Sequence, residues 1–253
     1  MGGGRRPAGW VLGIETSWRV GSVALAAGGV VAGRRFLTTP SAHASGLIPA
    51  VEEVMGEAGI GVGDLAGVVV GAGPGSFTGV RIGGSAAKGL AASLAIPLYA
   101  TSSLRAASFA LEALGPDVIL PPEMCDRDGP PGWRNPPSPL TGDRRELRHV
   151  LLDARGGRVY GAAYDVGAGG PVEVAAPHAG TILDVINARP PLHTVFMGDG
   201  AVAHAALIRA AGYTVRSFPA GIPVADAVVQ CCSWRPVDTA AWEPRYVREW
   251  RPG

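Results

Sequence analysis

Short apolar runs separated by tight turns open the ordered part of the chain. From Trp10 onward this alternation predicts three strands: Val11–Thr16, Ser22–Ala27 and Val30–Leu37. The turn Gly28-Gly29 separates the second and third strands. Consecutive short strands joined in this way are typical of an antiparallel meander at the start of a sheet.

A helical period replaces the alternation after residue 40. Apolar residues then recur at the spacing of one helix face: Leu47, Ile48, Val51, Val54 and Met55. Pro49 lies inside this stripe, so the helix either begins near it or bends there. Strand and helix patterns then alternate: strand Leu65–Gly71, a helix to about Leu94, strand Pro97–Ala100, helix Ser103–Leu114 and strand Val118–Leu120. Alternation after a meander predicts an α/β protein with a mixed sheet.

The second half of the chain repeats this order without repeating the sequence. Residues 121–143 contain seven prolines and no apolar period, which predicts a surface insertion without regular structure. A hairpin, His149–Asp153 with Arg158–Tyr164, then begins a second α/β region. We therefore expect a flexible extension (1–9), an N-terminal lobe (10–120), a Pro/Gly-rich insertion (121–146) and a C-terminal lobe (147–253).

The most informative segment is residues 71–83, GAGPGSFTGVRIG. An apolar strand precedes it and a small-residue helix follows, so its turn presents backbone N–H groups and the positive end of a helix dipole. Such a turn suits a phosphate or another anion. Both common phosphate-loop patterns are missing, because position 76 is Ser76 and the sole lysine, Lys88, is misplaced for them. Phosphate binding and a tight structural turn therefore remain open alternatives.

The run GPGSFTGVRIG closely resembles the signature of the TsaB (YeaZ) family, the non-catalytic partner of TsaD in making the threonylcarbamoyl modification of tRNA adenosine 37. Other segments resemble the family in order and spacing: Val11–Ser17, Gly21–Leu25, Ser41–Met55, Asp153–Tyr160, Gly198–Ala201 and Glu243–Arg248. The resemblance covers most of residues 10–106 and patches of 148–248, and it lapses over the Pro-rich insertion.

The resemblance implies the actin-like ATPase (ASKHA) fold, with two ribonuclease-H-like lobes and mixed sheets. It implies an accessory subunit that has no catalytic centre and supports TsaD in threonylcarbamoyl transfer. The implied partners are a TsaD-like protein in a heterodimer, a TsaE-like ATPase through the complex, tRNA indirectly, and a second copy of this chain when TsaD is absent.

Two sets of residues follow from the resemblance. The first is a vestigial phosphate site, where weak nucleotide binding stays open and no other cofactor is expected: Glu15, Thr16, Gly73, Gly75, Ser76, Thr78 and Gly79. The alternative is a strand-end carboxylate capped by local hydroxyls. The second is a partner interface on the two helices: His43, Leu47, Val51, Met55, Arg81 and Lys88. The alternative is that both helices pack only on their own sheet.

Composition narrows the rival functions. The net charge of +1 gives no global attraction to nucleic acid. The five histidines form no H-x-x-x-H or other close pair, which argues against a metal site and a metallopeptidase-like relative of TsaD. An odd number of cysteines and no long apolar run predict a cytoplasmic protein that does not enter membranes. An active actin-fold small-molecule kinase or ATPase, using Glu15, Thr16, Ser76 and Thr78, remains the rival function.

Overall fold

The computed structural model describes residues 4–38, 42–115, 118–125, 140 and 143–245. Within these residues the strands are β1 Trp10–Glu15, β2 Gly21–Ala27, β3 Val30–Leu37, β4 Leu65–Gly71, β5 Leu98–Thr101, β6 Glu146–Asp153, β7 Arg158–Gly167, β8 Gly170–Thr181, β9 Val195–Met197 and β10 Thr214–Val215. The helices are α1 Ala42–Ser45, α2 Leu47–Glu57, α3 Phe77–Leu94, α4 Ser103–Leu114, α5 Ile182–Asn187, α6 Asp199–Ala203, α7 Ala205–Ala210 and α8 Ala225–Gln230.

The strands form two five-stranded sheets with the same topology. The first has the order β3-β2-β1-β4-β5 and the second the order β8-β7-β6-β9-β10. In each sheet the first three strands of the half are antiparallel, and the fourth and fifth continue parallel to the first. This duplicated arrangement confirms the predicted α/β class with two ribonuclease-H-like mixed sheets of the actin-like fold.

The described residues divide into two compact units. Unit 1 contains the described residues up to Ala106 together with 223–245, and unit 2 contains those from Ala107 to Ile222. The core of unit 1 is formed by its sheet and the apolar faces of α2 and α3, with Leu12, Val54 and Val68 fully buried. The core of unit 2 packs α5, α6 and α7 on the second sheet around Phe196.

A buried ion network accompanies the core of unit 2. Arg148 is 1 % exposed and makes two 2.7 Å contacts with the carboxylate of Glu112. Its Nε donates to Glu146 at 2.7 Å, and Glu146 also accepts from Arg216. Burial alone would raise the pKa of Glu146, but the hydrogen bonds from Arg216 and Arg148 outweigh it and lower that pKa. The network therefore satisfies a guanidinium that would otherwise be costly to bury.

Two regions differ from the pattern-based expectation. The predicted strand Val118–Leu120 is wrong, because these residues have no regular structure and Ile119 is 92 % exposed. Strand β8 was not predicted, because its Gly, Pro and His residues and its two register shifts against β7 break the alternation of apolar positions.

The predicted extension and insertion remain predictions. Residues 126–139 and 141–142 of the insertion lie outside the described residues, while Pro122–Met124 form a 3₁₀ turn and β6 begins within the predicted range at Glu146. In the extension, the N–H of Gly4 donates to the carbonyl of Ser233, and Arg6 lies over the ring of Trp234. No helix in the described residues is both long and apolar enough to cross a bilayer.

Candidate functional site

The carboxylate of Glu15 lies at the end of β1 and is fully buried in unit 1. One oxygen accepts from the backbone N–H of Ser17 at 2.6 Å, and the other accepts from the hydroxyl of Ser103 at 2.7 Å. Burial raises the pKa of Glu15, and the hydrogen bonds from Ser17 and Ser103 offset this only in part. A Cβ at Gly71 would lie 2.1 Å from the carboxylate, so Gly71 leaves the space that Glu15 occupies.

The signature segment packs directly against the residues that follow β1. The N–H of Ser76 donates to the carbonyl of Ser17, and the hydroxyl of Thr16 donates to the carbonyl of Gly79, both at 2.7 Å. A Cβ at Gly75 would lie 2.3 Å from the Ser17 carbonyl oxygen, and one at Gly79 only 2.0 Å from that of Thr16. These glycines are therefore required by the close approach of two backbones.

Ser76 is also the N-cap of α3, since its hydroxyl accepts from the N–H of Gly79. Before it, Gly73 has a φ of +82° and is followed by a cis peptide bond to Pro74. The N–H of Gly73 donates to the Ser103 hydroxyl, and its carbonyl accepts from the Ser103 N–H. Residues 77–83 of the signature thus belong to a helix, and the turn itself is limited to 72–76.

The structure brings most of the predicted phosphate set together. Glu15, Thr16, Gly73, Gly75, Ser76 and Gly79 all lie where β1 meets the signature turn. The polar groups of Glu15, Thr16 and Ser76 are bonded to unit 1 itself, an arrangement that a structural turn would also require. Thr78 is exposed and lines a separate groove on α3. Sequence reasoning did not include Ser103 in this set, although its hydroxyl joins the carboxylate to the turn.

That groove lies on the outer faces of α1, α2 and α3 and has a volume of about 550 Å³. Its lining residues are Ala44, Leu47, Ile48, Phe77, Thr78, Arg81, Ile82, Ser85 and Ala86. Phe77 is 56 % exposed and Ile48 is 45 % exposed. The guanidinium of Arg81 lies 3.9 Å from the centre of the Phe77 ring, a cation–π contact that fixes both side chains. We call these nine residues the α2–α3 groove.

The predicted interface residues occupy different faces of these helices. Leu47, Val51 and Met55 are buried on the core side of α2, although Leu47 also lines the α2–α3 groove. His43 is only 5 % exposed, with its pKa lowered by burial. Lys88 is half-buried, and its Nζ donates to the carbonyls of Ala240 and Trp242, both at 3.0 Å.

Of the predicted interface set, Arg81 alone is fully on the exposed side. Side chains such as Ile48 and Phe77 supply the apolar exposed area. The helical stripe did not distinguish Ile48 from Leu47, which is its neighbour in sequence and is buried.

Unit 2 contains a second glycine-rich segment, Gly198–Ala201. Asp199 begins α6, and its Oδ1 accepts from the N–H groups of Asp153 and Gly200, both at 2.9 Å. This carboxylate is therefore engaged by the end of β6. Within the described residues, no group of three or more His, Cys, Asp or Glu side chains is placed to hold a metal ion.

The fold and this site define the class of protein. Two sheets with the topology of ribonuclease H, and a glycine-rich turn against the first strand end, belong to the actin-like α/β proteins. Two solved structures share the fold across nearly the whole chain. A YeaZ-like protein of Pseudomonas aeruginosa covers 95 % of this chain and 100 % of its own, with a TM-score of 0.69 and 22 % identity. A second, named YeaZ from the same organism, has a TM-score of 0.68 and 23 % identity, covering 94 % and 100 %.

Sequence comparisons find curated relatives that match part of the chain. The tRNA threonylcarbamoyladenosine biosynthesis protein TsaB of Escherichia coli is 32 % identical over 154 residues, 61 % of this chain and 54 % of that protein. TsaB of Bacillus subtilis is 39 % identical over 94 residues, 37 % of this chain and 41 % of its own. The family model described as TsaD, tRNA N6-adenosine threonylcarbamoyltransferase, matches residues 28–125. The chain spans about half, or less, of the curated relatives it matches. The chain is therefore similar in sequence to TsaB proteins and shares the fold of the YeaZ structures.

Proposed function

We propose that this protein is an accessory subunit that binds a TsaD-like protein through the α2–α3 groove and supports threonylcarbamoyl transfer to adenosine 37 of tRNA. The observation that carries the proposal is the exposed apolar area on α2 and α3, beside the signature turn. Exposed apolar patches rimmed by polar residues are typical of protein interaction sites. The names of the relatives indicate the pathway, which is tRNA threonylcarbamoyladenosine biosynthesis. The proposed heterodimer would explain why the groove exposes apolar side chains.

The groove has the composition of an interface centre. Phe77 and Arg81 are of the residue types enriched at binding hot spots, and their stacking reduces the conformational entropy that binding would cost. Ser85 and Ala86 are small, so a partner helix can approach α3 closely. The proposed TsaE-like ATPase and tRNA would join through the TsaD-like subunit, which agrees with the net charge of +1.

The proposal is tested by co-purification with the TsaD-like protein of the same organism, followed by a tRNA modification assay with and without this chain. We expect a stable complex whose activity needs this chain. The substitution Ile48→Glu should weaken binding by at least about tenfold, since it places a charge at the centre of a desolvated interface. Val62→Glu is the matched control, because Val62 is 48 % exposed in the same unit and lies outside the groove.

Three outcomes would refute the proposal: no complex, full activity of the TsaD-like protein alone, or equal effects of Ile48→Glu and Val62→Glu. Turnover of Mg-ATP by the isolated chain would instead favour the kinase alternative. The internal bonding of Glu15 and Thr16 gives that alternative no support.

A further inference from the structure

A second cavity, of about 380 Å³, lies in unit 2 and is independent of the α2–α3 groove and of the proposed function. Its walls come from the edge strand β8, from α5 and from the segment before β9. Most of the wall is apolar and includes Val174, Pro177, Val185 and Pro191. Cavities that hold small molecules usually begin at about 300 Å³, have apolar walls and carry a few convergent polar groups.

Two buried polar side chains face this cavity without a hydrogen-bond partner in the described residues. His149 on β6 is 6 % exposed, and neither of its ring nitrogens is bonded. Thr194 is 1 % exposed, and its hydroxyl is likewise unpaired. Both residues line the cavity. Buried polar groups in native proteins are nearly always paired, so a pair of unpaired groups on one wall is a signal for a binding site.

The surrounding structure fixes the orientation of His149. One face of its ring stacks on Phe196, with the ring centres 5.1 Å apart and an angle of 15°. The ring of His178 meets it edge-on, with the centres 5.4 Å apart. Gly161 makes room for this arrangement, because a Cβ there would lie 2.6 Å from the Nε2 of His178. The register shifts of β8 next to Gly161 further set the direction of its side chains.

The cavity is suited to an uncharged molecule. Burial, aided by the neighbouring His178, lowers the pKa of His149 to about 3, and burial also lowers the pKa of His178. Both imidazoles are therefore neutral near pH 7, and each neutral ring has one N–H donor and one acceptor nitrogen. Among the described residues that line the cavity, Asp184 is the carboxylate and none is Lys or Arg. An anion would meet the negative charge of Asp184, and although Arg158 interacts with this carboxylate, no Lys or Arg is among the described lining residues.

We propose that this cavity binds a small, uncharged nitrogen heteroaromatic or aromatic amide. The apolar walls of β8 and α5 would hold its ring, and a donor–acceptor edge would pair with His149 and Thr194. The neutral imidazole supplies both a donor and an acceptor, and the threonine hydroxyl can act as either. A molecule of one or two rings fits the cavity volume, and it would satisfy the side chains that the protein leaves unpaired.

The test uses the full chain and four neutral probes: nicotinamide, benzamide, adenine and indazole. Nicotinate has the size of nicotinamide but a negative charge. Long-range ¹H–¹⁵N spectra of the histidine side chains report directly on the ring nitrogens of His149. We expect at least one neutral probe to shift the His149 signals saturably with a Kd below about 1 mM, and nicotinate to bind at least about tenfold more weakly.

Variants separate the cavity from other sites. Thr194→Val should weaken binding by about tenfold, the value of one hydrogen bond, and His149→Phe should abolish it. Ala175→Trp fills the cavity from the half-exposed wall of β8 and should block binding with the polar groups in place. Thr214→Val is the matched control on exposed β10 and should leave the Kd unchanged.

The proposal is overturned if none of the four neutral probes shifts His149 up to about 10 mM. It is also overturned if nicotinate binds equally well, if only Zn²⁺ shifts the signals, or if Thr194→Val and Ala175→Trp both bind like the unaltered chain. A failure of the TsaD-binding experiment would leave these results unaffected, because the probes bind the isolated protein in unit 2.

Discussion

The substitution Gly79→Ala tests whether the signature glycines serve the approach of two backbones. The new Cβ would lie 2.0 Å from the carbonyl oxygen of Thr16, a separation that real side chains do not show. This clash is relieved only if α3 and the end of β1 move apart by about 1 Å or more. The substitution therefore overpacks a site that has no free space. That movement would lengthen the Thr16–Gly79 and Ser76–Ser17 hydrogen bonds, which are both 2.7 Å.

The magnitude follows from these terms. Overpacking costs about 1–3 kcal/mol, and each weakened buried hydrogen bond costs about 1 kcal/mol. The higher helix propensity of alanine offsets about 1 kcal/mol of this destabilisation. We expect Gly79→Ala to lower the free energy of unfolding by about 3 kcal/mol, which for a chain of this size corresponds to a fall in Tm of about 6–12 °C.

The control is Gly89→Ala, in the same helix. A Cβ at Gly89 meets nothing within 4 Å, so only the propensity gain remains. We expect Gly89→Ala to stabilise the protein by about 0.5–1 kcal/mol. Thermal unfolding followed by circular dichroism, with urea titration for the slope, measures both variants. Equal Tm values for the two variants would refute the reasoning, because α3 would then tolerate a side chain against Thr16.

Three further predictions concern buried polar groups. Glu112→Ala removes the main partner of the buried Arg148 guanidinium and should lower the free energy of unfolding by about 3–5 kcal/mol. Glu53→Ala removes one partner of an exposed ion pair and should lower it by less than about 1 kcal/mol. Urea midpoints measure both variants, and similar values would contradict the burial argument. The raised pKa of Glu15 favours the folded state below the ordinary value of 4.5, and this contribution is lost as pH rises through the folded pKa. Glu15→Gln should therefore remove a decline of Tm with rising pH above about 4.5, and an unchanged pH profile would count against it. Thr194→Val removes an unpaired hydroxyl and should be neutral or stabilising by up to about 1 kcal/mol. Thr16→Val removes a buried hydrogen bond and should destabilise the protein by about 1–3 kcal/mol. The reverse order of Tm values would show that the paired and unpaired hydroxyls are wrongly assigned.

Much of the fold followed from periodicity, because most elements bury one face. Helix α4 has the predicted bounds of Ser103–Leu114, and the bounds of β1 and β2 differ from the prediction by no more than one residue at either end. The strand expected at Val118–Leu120 failed because a three-residue apolar run carries no period, and nothing local shows that Ile119 is exposed. An apolar period therefore identifies a helix or strand only where one face of that element is buried.

The sites were harder to predict, since apolar residues that bind a partner look like core residues. Ile48 and Phe77 are exposed on helices whose other apolar residues are buried, and sequence spacing does not assign the two faces. The cavity in unit 2 depends on β8, which was not predicted, and on His149 and Thr194, whose significance arises from missing hydrogen bonds. Missing hydrogen bonds are visible only in the three-dimensional structure. By contrast, the signature segment was recognisable in the sequence because the close approach of two backbones requires glycine at particular positions.

The glycine requirement recurs in unit 2, at the corresponding place in the topology. In unit 1 the chain leaves the fourth strand of the half, β4, and passes so close to the end of β1 that Gly75 and Gly79 admit no side chain. In unit 2 it leaves β9 and passes the end of β6, where a Cβ at Gly198 would lie 2.4 Å from the carbonyl oxygen of Leu151. Hydrogen bonds join the two segments in both units, but in opposite directions. The N–H of Ser76 donates to the Ser17 carbonyl after β1, whereas the N–H of Asp153 at the end of β6 donates to the carboxylate of Asp199. The two halves share no visible sequence repeat, yet the same crossing imposes glycine in each. The glycine-rich segments are therefore explained first by the sheet topology, and a ligand is not needed to account for them.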